Sequence, residues 1–235
     1  ACAFAACATT ACASTPQYAD RADVREFIGA MTSKHAFAAD ELTDVFRQAN
    51  FRQDIIDAIS RPAEKRPWHE YRPIFLTPNR IRGGVDFWRD NEAILPRAEA
   101  PYGVPPEIVI AIIGVETFYG RSAGRHRVLD SLATLAFDYP PRGDFFRGEL
   151  EQYLVLTREE HLDPVTVTGS YAGAIGKPQF IPSSYRHYAV DFDGDGQRDL
   201  LNNVADAIGS VANYLGTHGW RRGEAVVAPA TVTGE

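Results

Sequence analysis

Residues 108–115 read IVIAIIGV, eight in a row without a polar side chain, directly after Pro105, Pro106 and Glu107. Proline suits the first turn of a helix, and Glu107 sits where the N-terminal dipole favours an anion. The stretch therefore reads as a helix that is apolar on every side. Such a helix has no solvent face, so the remaining chain has to pack around it. It is also far shorter than the roughly 20 residues that span a bilayer. Glu116 closes the run, about three turns in. There it is expected to be partly desolvated, which favours the neutral acid and raises its pKa. A carboxyl that stays protonated near neutral pH is what a general acid needs. The competing reading is a Glu at the exposed end of a buried helix, paired with Arg121.

The pattern elsewhere is also helical. Val24, Phe27, Ile28 and Met31 share one face, as do Leu42, Val45 and Phe46, and RQDIIDAIS makes a third short helix. Pro62, Pro67, Pro73 and Pro78 then break the chain, and VDFWRDNEAILPRAEAPYG resumes as a helix ending near Gly103. Acids and bases before residue 100 read as solvated faces. Near the end, Val204, Ile208, Val211 and Leu215 form a buried stripe, with Gly219 as a C-terminal stop. EAVVAPATVTGE turns β-branched and reads as the start of a strand region. The fold class expected is mainly α (α+β). A low-complexity tail (1–17), a helical domain (18–100), a core domain (101–222) and the beginning of a β region (223–235) follow in order.

Composition excludes several functions. With 235 residues, 45% of them hydrophobic, the chain can bury a proper core. A formal charge of -7 argues against a nucleic-acid partner and against binding anionic membrane through a basic patch. Cys2, Cys7 and Cys12 all lie in the Ala-rich opening segment, which excludes thiol catalysis, cysteine-rich zinc sites and a disulfide-stapled core for the folded body. That segment has no starting Met and no basic residue before Arg21, so it is not an intact signal peptide. Its FAAC run faintly resembles the small residues that precede a lipid-modified cysteine, and a processed tail is the preferred reading.

Two further motifs carry chemistry. GSYAGAIGKPQFIPSSY, residues 169–185, is not a P-loop, because Tyr171 and Pro178 stand where that loop needs Gly and Ser or Thr. Its small residues, interleaved with Ser170, Tyr171, Gln179 and Tyr185, suit a groove where backbone approaches a flat polar ligand such as a sugar ring. In DFDGDGQRD, Asp191, Asp193 and Asp195 alternate before Gly196, matching the first half of an EF-hand calcium loop. The carbonyl of Gln197 falls at the seventh place. The twelfth is Asn202 where a Glu is usual, and Asp206 is the nearest acid to replace it. A structural Ca2+ is expected here, and no organic cofactor.

GVPPEIVIAIIGVETFYGR, LATLAFDYPPR, GSYAGAIGKPQFIPSSY and AVDFDGDGQRDL, in that order, resemble the membrane-bound lytic murein transglycosylase B family. The resemblance covers most of residues 80–225. It implies a lysozyme-like catalytic core beside a helical domain and a small β domain, and cleavage of peptidoglycan glycan strands in the periplasm. By position, Glu116 matches the family's single catalytic acid. Ser170, Gln179 and Tyr214 match sugar-binding groove positions, and Arg142 a position that contacts the stem peptide. Asp191, Asp193, Asp195 and Asp206 match the EF-hand-like site. Pro141 departs from the pattern, standing where Arg is common, and groove residues of the β domain lie beyond the sequence read here. An N-terminal lipid, an outer-membrane location and cell-wall synthesis proteins as partners belong to the same set of expectations.

An ordinary glycosidase needs two carboxylates. Asp130, Glu149 and Glu151 read as surface charges on helical segments, leaving Glu116 alone. The resemblance implies that the substrate's N-acetyl group stabilises the cation and that Glu116 then deprotonates the muramic C6 hydroxyl, closing a 1,6-anhydro ring. A water-using muramidase or chitinase, and a calcium-stabilised glycan-binding protein without catalysis, stand as alternatives.

Overall fold

The structure, a computed structural model, describes residues 17–61, 67–229 and 231; the three cysteines and the FAAC run lie outside them. The chain divides into two compact units between Asn50 and Phe51. The first holds α1 (Ala22–His35) and α2 (Ala39–Arg47). Val24, Ile28 and Met31 of α1 are buried with Leu42 and Phe46 of α2, and the Phe27 and Phe46 rings meet edge to face at 5.9 Å. The helical spacing of these residues is thus the packing face itself.

The second unit contains α3 (Gln53–Ser60), α4 (Trp68–Phe75), α5 (Pro78–Asp90), α6 (Leu95–Tyr102) and α7 (Pro106–Thr117). These are followed by β1 (His126–Arg127), α8 (Val128–Asp138), α9 (Gly143–Glu159), β2 (Thr168–Gly169), α10 (Pro182–Tyr188) and α11 (Val204–Thr217). β1 pairs antiparallel with β2, His126 opposite Gly169 and Arg127 opposite Thr168. One core cluster joins Phe87 of α5, Leu95 and Ala98 of α6, Val109, Ile110 and Ile113 of α7, and Ile208, Val211 and Ala212 of α11. This sharing moves the domain boundary. α5 and α6 cover α7 and α11, so the division falls at residue 50 and not near residue 100. The described residues from 221 to 229 are turns and irregular chain, with no strand among them.

The encased helix is α8, not α7. Residues 128–136 of α8 are all buried, whereas Glu107, Ala111, Val115 and Glu116 of α7 are exposed. α8 disguises its position because it carries polar side chains, each of them paired. Asp130 makes a two-pronged ion pair with Arg127 (2.7 and 2.9 Å), the Ser131 hydroxyl donates to the Ser170 carbonyl, and Thr134 Oγ1 accepts the Arg52 N–H. Burial of polar groups is tolerated where every one of them is paired. Asp130 and Glu149 are therefore not surface charges: they are 2% and 6% exposed. Glu149, on α9, accepts both the N–H and the hydroxyl of Ser183 in the first turn of α10 (3.0 and 2.7 Å). Glu151 is half-buried.

The end of α7 is locked to α5. Phe118 and Tyr119 take left-handed backbone (φ 51° and 61°), costly for bulky residues, and turn the Tyr119 ring back along the helix pair. The ring fills the space that side chains on Gly83, Gly84 and Gly114 would occupy, and its hydroxyl donates to the Arg80 carbonyl at 3.0 Å. A Cβ on Gly114 would stand 2.7 Å from three atoms of that anchored ring. Gly114→Ala is accordingly expected to overpack the junction at a cost of about 1–3 kcal/mol. A fall of roughly 2–4 °C in thermal midpoint per kcal/mol is the check, and an unchanged melt would show that the ring moves freely.

Candidate active site

A groove of 330 Å³ opens between the last turn of α7, the loop leading into α10, and the outer half of α11. Ile112 and Glu116 come from α7, residues 178–181 and Ser184 from the opposite wall, and Val211, Tyr214 and Leu215 from α11. Glu116 has no hydrogen-bond or ion-pair partner among the described residues. The Arg121 guanidinium lies over the Phe118 ring, 5.0 Å from its centre, and makes no pair with Glu116. Solvent reaches Glu116 through the groove mouth, so the residue is exposed and its carboxyl only partly desolvated. The groove walls still remove enough water to push its pKa above the ordinary carboxylate value, and desolvation is the whole cause. An unpaired carboxyl that favours its protonated form in an open groove is placed to give a proton to a bound ligand.

Gln179 faces the same space from a left-handed backbone conformation (φ 52°). Its side-chain amide donates to the Ala123 and Gly176 carbonyls (3.0 and 2.9 Å), so its side-chain oxygen is what remains for a ligand's donor. Tyr214 is clamped by three rings: Phe180 at 5.4 Å, Tyr188 edge-on at 5.1 Å, and His218 stacked at 4.1 Å. This gives the groove a rigid aromatic wall with a hydroxyl, a suitable face for a sugar ring.

The structure does not bring the other two expected contacts into this groove. Ser170 Oγ accepts the Ala172 and Ala174 N–H groups (3.2 and 3.0 Å), and so shapes the turn that carries the wall. Arg142 is exposed and lies over Phe145 and Phe146, 4.2 and 5.2 Å from their centres. Ile112, Phe180, Ile181 and Ser184 are groove residues that the sequence reading did not single out. Ile112 carried a signal, since it lies one helical turn before Glu116.

The acidic loop lies elsewhere on the same unit. Oxygens of Asp191, Asp193 and Asp206 all fall within 4.8 Å of one another. Asp206 has no exposed surface. It accepts the Phe192 and Asp199 N–H groups (2.7 and 2.8 Å), yet desolvation, added to the charges of Asp193 and Asp191, pushes its pKa up. Asp191 accepts three loop N–H groups, from Gly194, Asp195 and Gly196, which hold its pKa down. Asn202, at the twelfth place, donates to Asp199 (3.1 Å), and the third acid of the cluster is Asp206 of α11. Phe192 packs where a side chain on Gly209 would be, 2.5 Å from its Cβ position, and this seats the loop on α11. Three carboxylates gathered around one buried oxygen pair fit a hard divalent cation. Asp195 stands outside the cluster, its carboxylate accepting the Gln197 N–H at 2.8 Å.

The chain belongs to the transglycosylase SLT domain family, whose model matches residues 19–235. The chain is 45% identical over 223 residues to the membrane-bound lytic murein transglycosylase B of Escherichia coli (strain K12). It spans 62% of that protein's length, and the match takes in 91% of its own. The structure of catenated lytic transglycosylase SltB1 from Pseudomonas aeruginosa superposes with a TM-score of 0.86 at 56% identity, over 89% of this chain and 69% of that one. Escherichia coli lytic transglycosylase SLT35 in complex with calcium gives 0.84 at 46% identity, over 89% and 67%. The mainly α, lysozyme-like architecture expected from the motifs is the one these structures share.

Proposed function

We propose that this chain is a lytic transglycosylase that cleaves the β-1,4 bond between N-acetylmuramic acid and N-acetylglucosamine in peptidoglycan. The observation that carries the reading is Glu116: one unpaired, desolvated carboxyl at the centre of a sugar-sized groove, with no second carboxyl among the groove residues. Asp130 and Glu149, two buried acids of the same unit, are engaged by Arg127 and Ser183.

In this mechanism protonated Glu116 gives its proton to the glycosidic oxygen as the bond to muramic C1 breaks. The substrate's own N-acetyl oxygen stabilises the cation at C1. The Glu116 carboxylate then takes the proton of the C6 hydroxyl as O6 bonds to C1, which restores the acid and consumes no water. Gln179 and Tyr214 hold the sugar, Ser170 shapes the loop, and Arg142 meets the stem peptide. Asp191, Asp193 and Asp206 hold a structural Ca2+, assisted by Asp195 and the Gln197 carbonyl. The enzyme works in the periplasm, tethered to the outer membrane by an N-terminal lipid.

Purified sacculi digested with the protein should release muropeptides ending in 1,6-anhydromuramic acid. These are lighter than hydrolytic products by one water and carry no reducing end. Mass spectrometry distinguishes the outcomes: hydrated reducing ends would make the protein a muramidase, and no release would leave a glycan-binding protein.

A further inference from the structure

The helix that ends at Glu116 and the wall that faces it meet at a buried contact. Thr117 follows Glu116 directly and is 1% exposed. Its Oγ1 accepts the Gly120 N–H at 2.9 Å and lies 2.8 Å from the Lys177 carbonyl and 3.2 Å from that of Ile113. A hydroxyl has one proton, and the shorter distance assigns it to Lys177. Lys177 is itself held on three sides. Its N–H donates to the Leu200 carbonyl at 2.9 Å, and its Nζ to the Leu201 carbonyl at 2.6 Å. Its stem runs 3.3 Å from where a side chain on Gly120 would begin, and Gly120 adopts φ +83°. The chain then passes through Pro178 into Gln179 and Phe180 on the groove wall.

We propose that Thr117, acting through Lys177, is a positioning residue that holds Glu116 at a fixed separation from the wall formed by Gln179 and Phe180. The inference rests on the reading of Glu116 as the catalytic acid. That carboxyl has to serve two oxygens in turn, the glycosidic oxygen and O6, from one position. A displacement of about 1 Å at such a group costs on the order of 10²-fold in rate.

Thr117→Val keeps the shape and removes both hydroxyl bonds. It is expected to lower kcat on sacculi about 10- to 100-fold while moving KM less than about threefold. Thr117→Ser, which retains the hydroxyl, should restore most of the rate. Lys177→Met keeps the stem, loses the Nζ bond and should cost less. The double variant with Thr117→Val should be no slower than Thr117→Val alone, because both changes act through one contact. Wild-type kcat in Thr117→Val, or a loss that Thr117→Ser does not restore, would overturn the proposal. A second readout needs no turnover: the Glu116 carboxyl resonance, assigned by its loss in Glu116→Gln and followed through a pH titration. Its midpoint should fall toward the ordinary carboxylate value in Thr117→Val and stay raised in Thr117→Ser; an unmoved midpoint counts against positioning. Wild-type protein that cleaves nothing would remove the functional reading, and the titration would still decide the contact.

Discussion

Glu116→Gln is expected to lower the release of muropeptides from sacculi by about 10³-fold or more while leaving glycan binding nearly intact. General acid–base assistance contributes roughly 10²–10⁴-fold, and here one carboxyl supplies both the acid and the base. The substitution is isosteric and the native group has no partner to lose among the described residues, so the loss should fall on kcat and spare KM. The stability of the same variant carries a sign. Desolvation raises the folded-state pKa of Glu116 above its unfolded value. Such a carboxyl contributes stability below the unfolded pKa and loses it as pH rises through the folded pKa. Near neutral pH the Gln variant should therefore melt no lower than the wild type, by a small margin because the group is solvent-reached, and the margin should vanish in acid. Activity has the matching dependence: proton donation weakens as pH rises through that raised pKa. A Gln variant that digests sacculi at near the parental rate would remove Glu116 from the mechanism.

Asp206→Ala is expected to be the most destabilising change in the acidic loop. It leaves the Phe192 and Asp199 N–H groups without the carboxylate they donate to, a side chain that itself has no exposed surface. Each stranded donor costs about 1–3 kcal/mol, so the pair corresponds to roughly 5–20 °C of thermal midpoint in a chain of this size. Calcium adds an independent effect. A cation that binds only the folded state at about 100 times its Kd contributes about 2.7 kcal/mol. Chelator should lower the midpoint of the wild type and calcium should restore it. Asp206→Ala and Asp193→Ala should not respond, whereas Asp195→Ala, whose carboxylate lies outside the cluster, should keep part of the response. Identical wild-type melts in calcium and in chelator would reduce the loop to an acidic turn stabilised by its own N–H groups.

Much of the site could be read from local pattern. Glu116 is conspicuous because an ionisable residue ends an apolar run, and the alternating acids before Gly196 include two members of the acidic cluster, Asp191 and Asp193, while Asp195 stands outside it. Asp206 was legible too, as the nearest acid after an unsuitable twelfth residue. Ser170 and Arg142 were harder. Their positions in a motif are local facts, but whether a side chain faces the groove depends on the turn it stabilises or the ring it rests on.

From the sequence alone came most of the helices, though not α4 or α10, which form where prolines and glycines read as loop, together with the buried stripes of α1, α2 and α11, the acid at the end of α7 and the order of motifs that points to the family. Periodicity reports which face of an element is apolar, and that is a property of residues three and four apart. Tertiary structure alone decided what covers each face. It buried α8 by pairing Ser131 with Ser170 and Thr134 with Arg52, 39 and 82 residues away, while Asp130 pairs locally with Arg127. It turned Glu149 toward Ser183, 34 residues on, and joined α5 and α6 to α7 and α11. It also left Glu116 open to solvent in a groove whose walls come from three separate stretches of chain. A carboxyl's pKa and availability are set by those distant neighbours, through lost water and through the partners they do or do not supply, and no spacing within a helix encodes them.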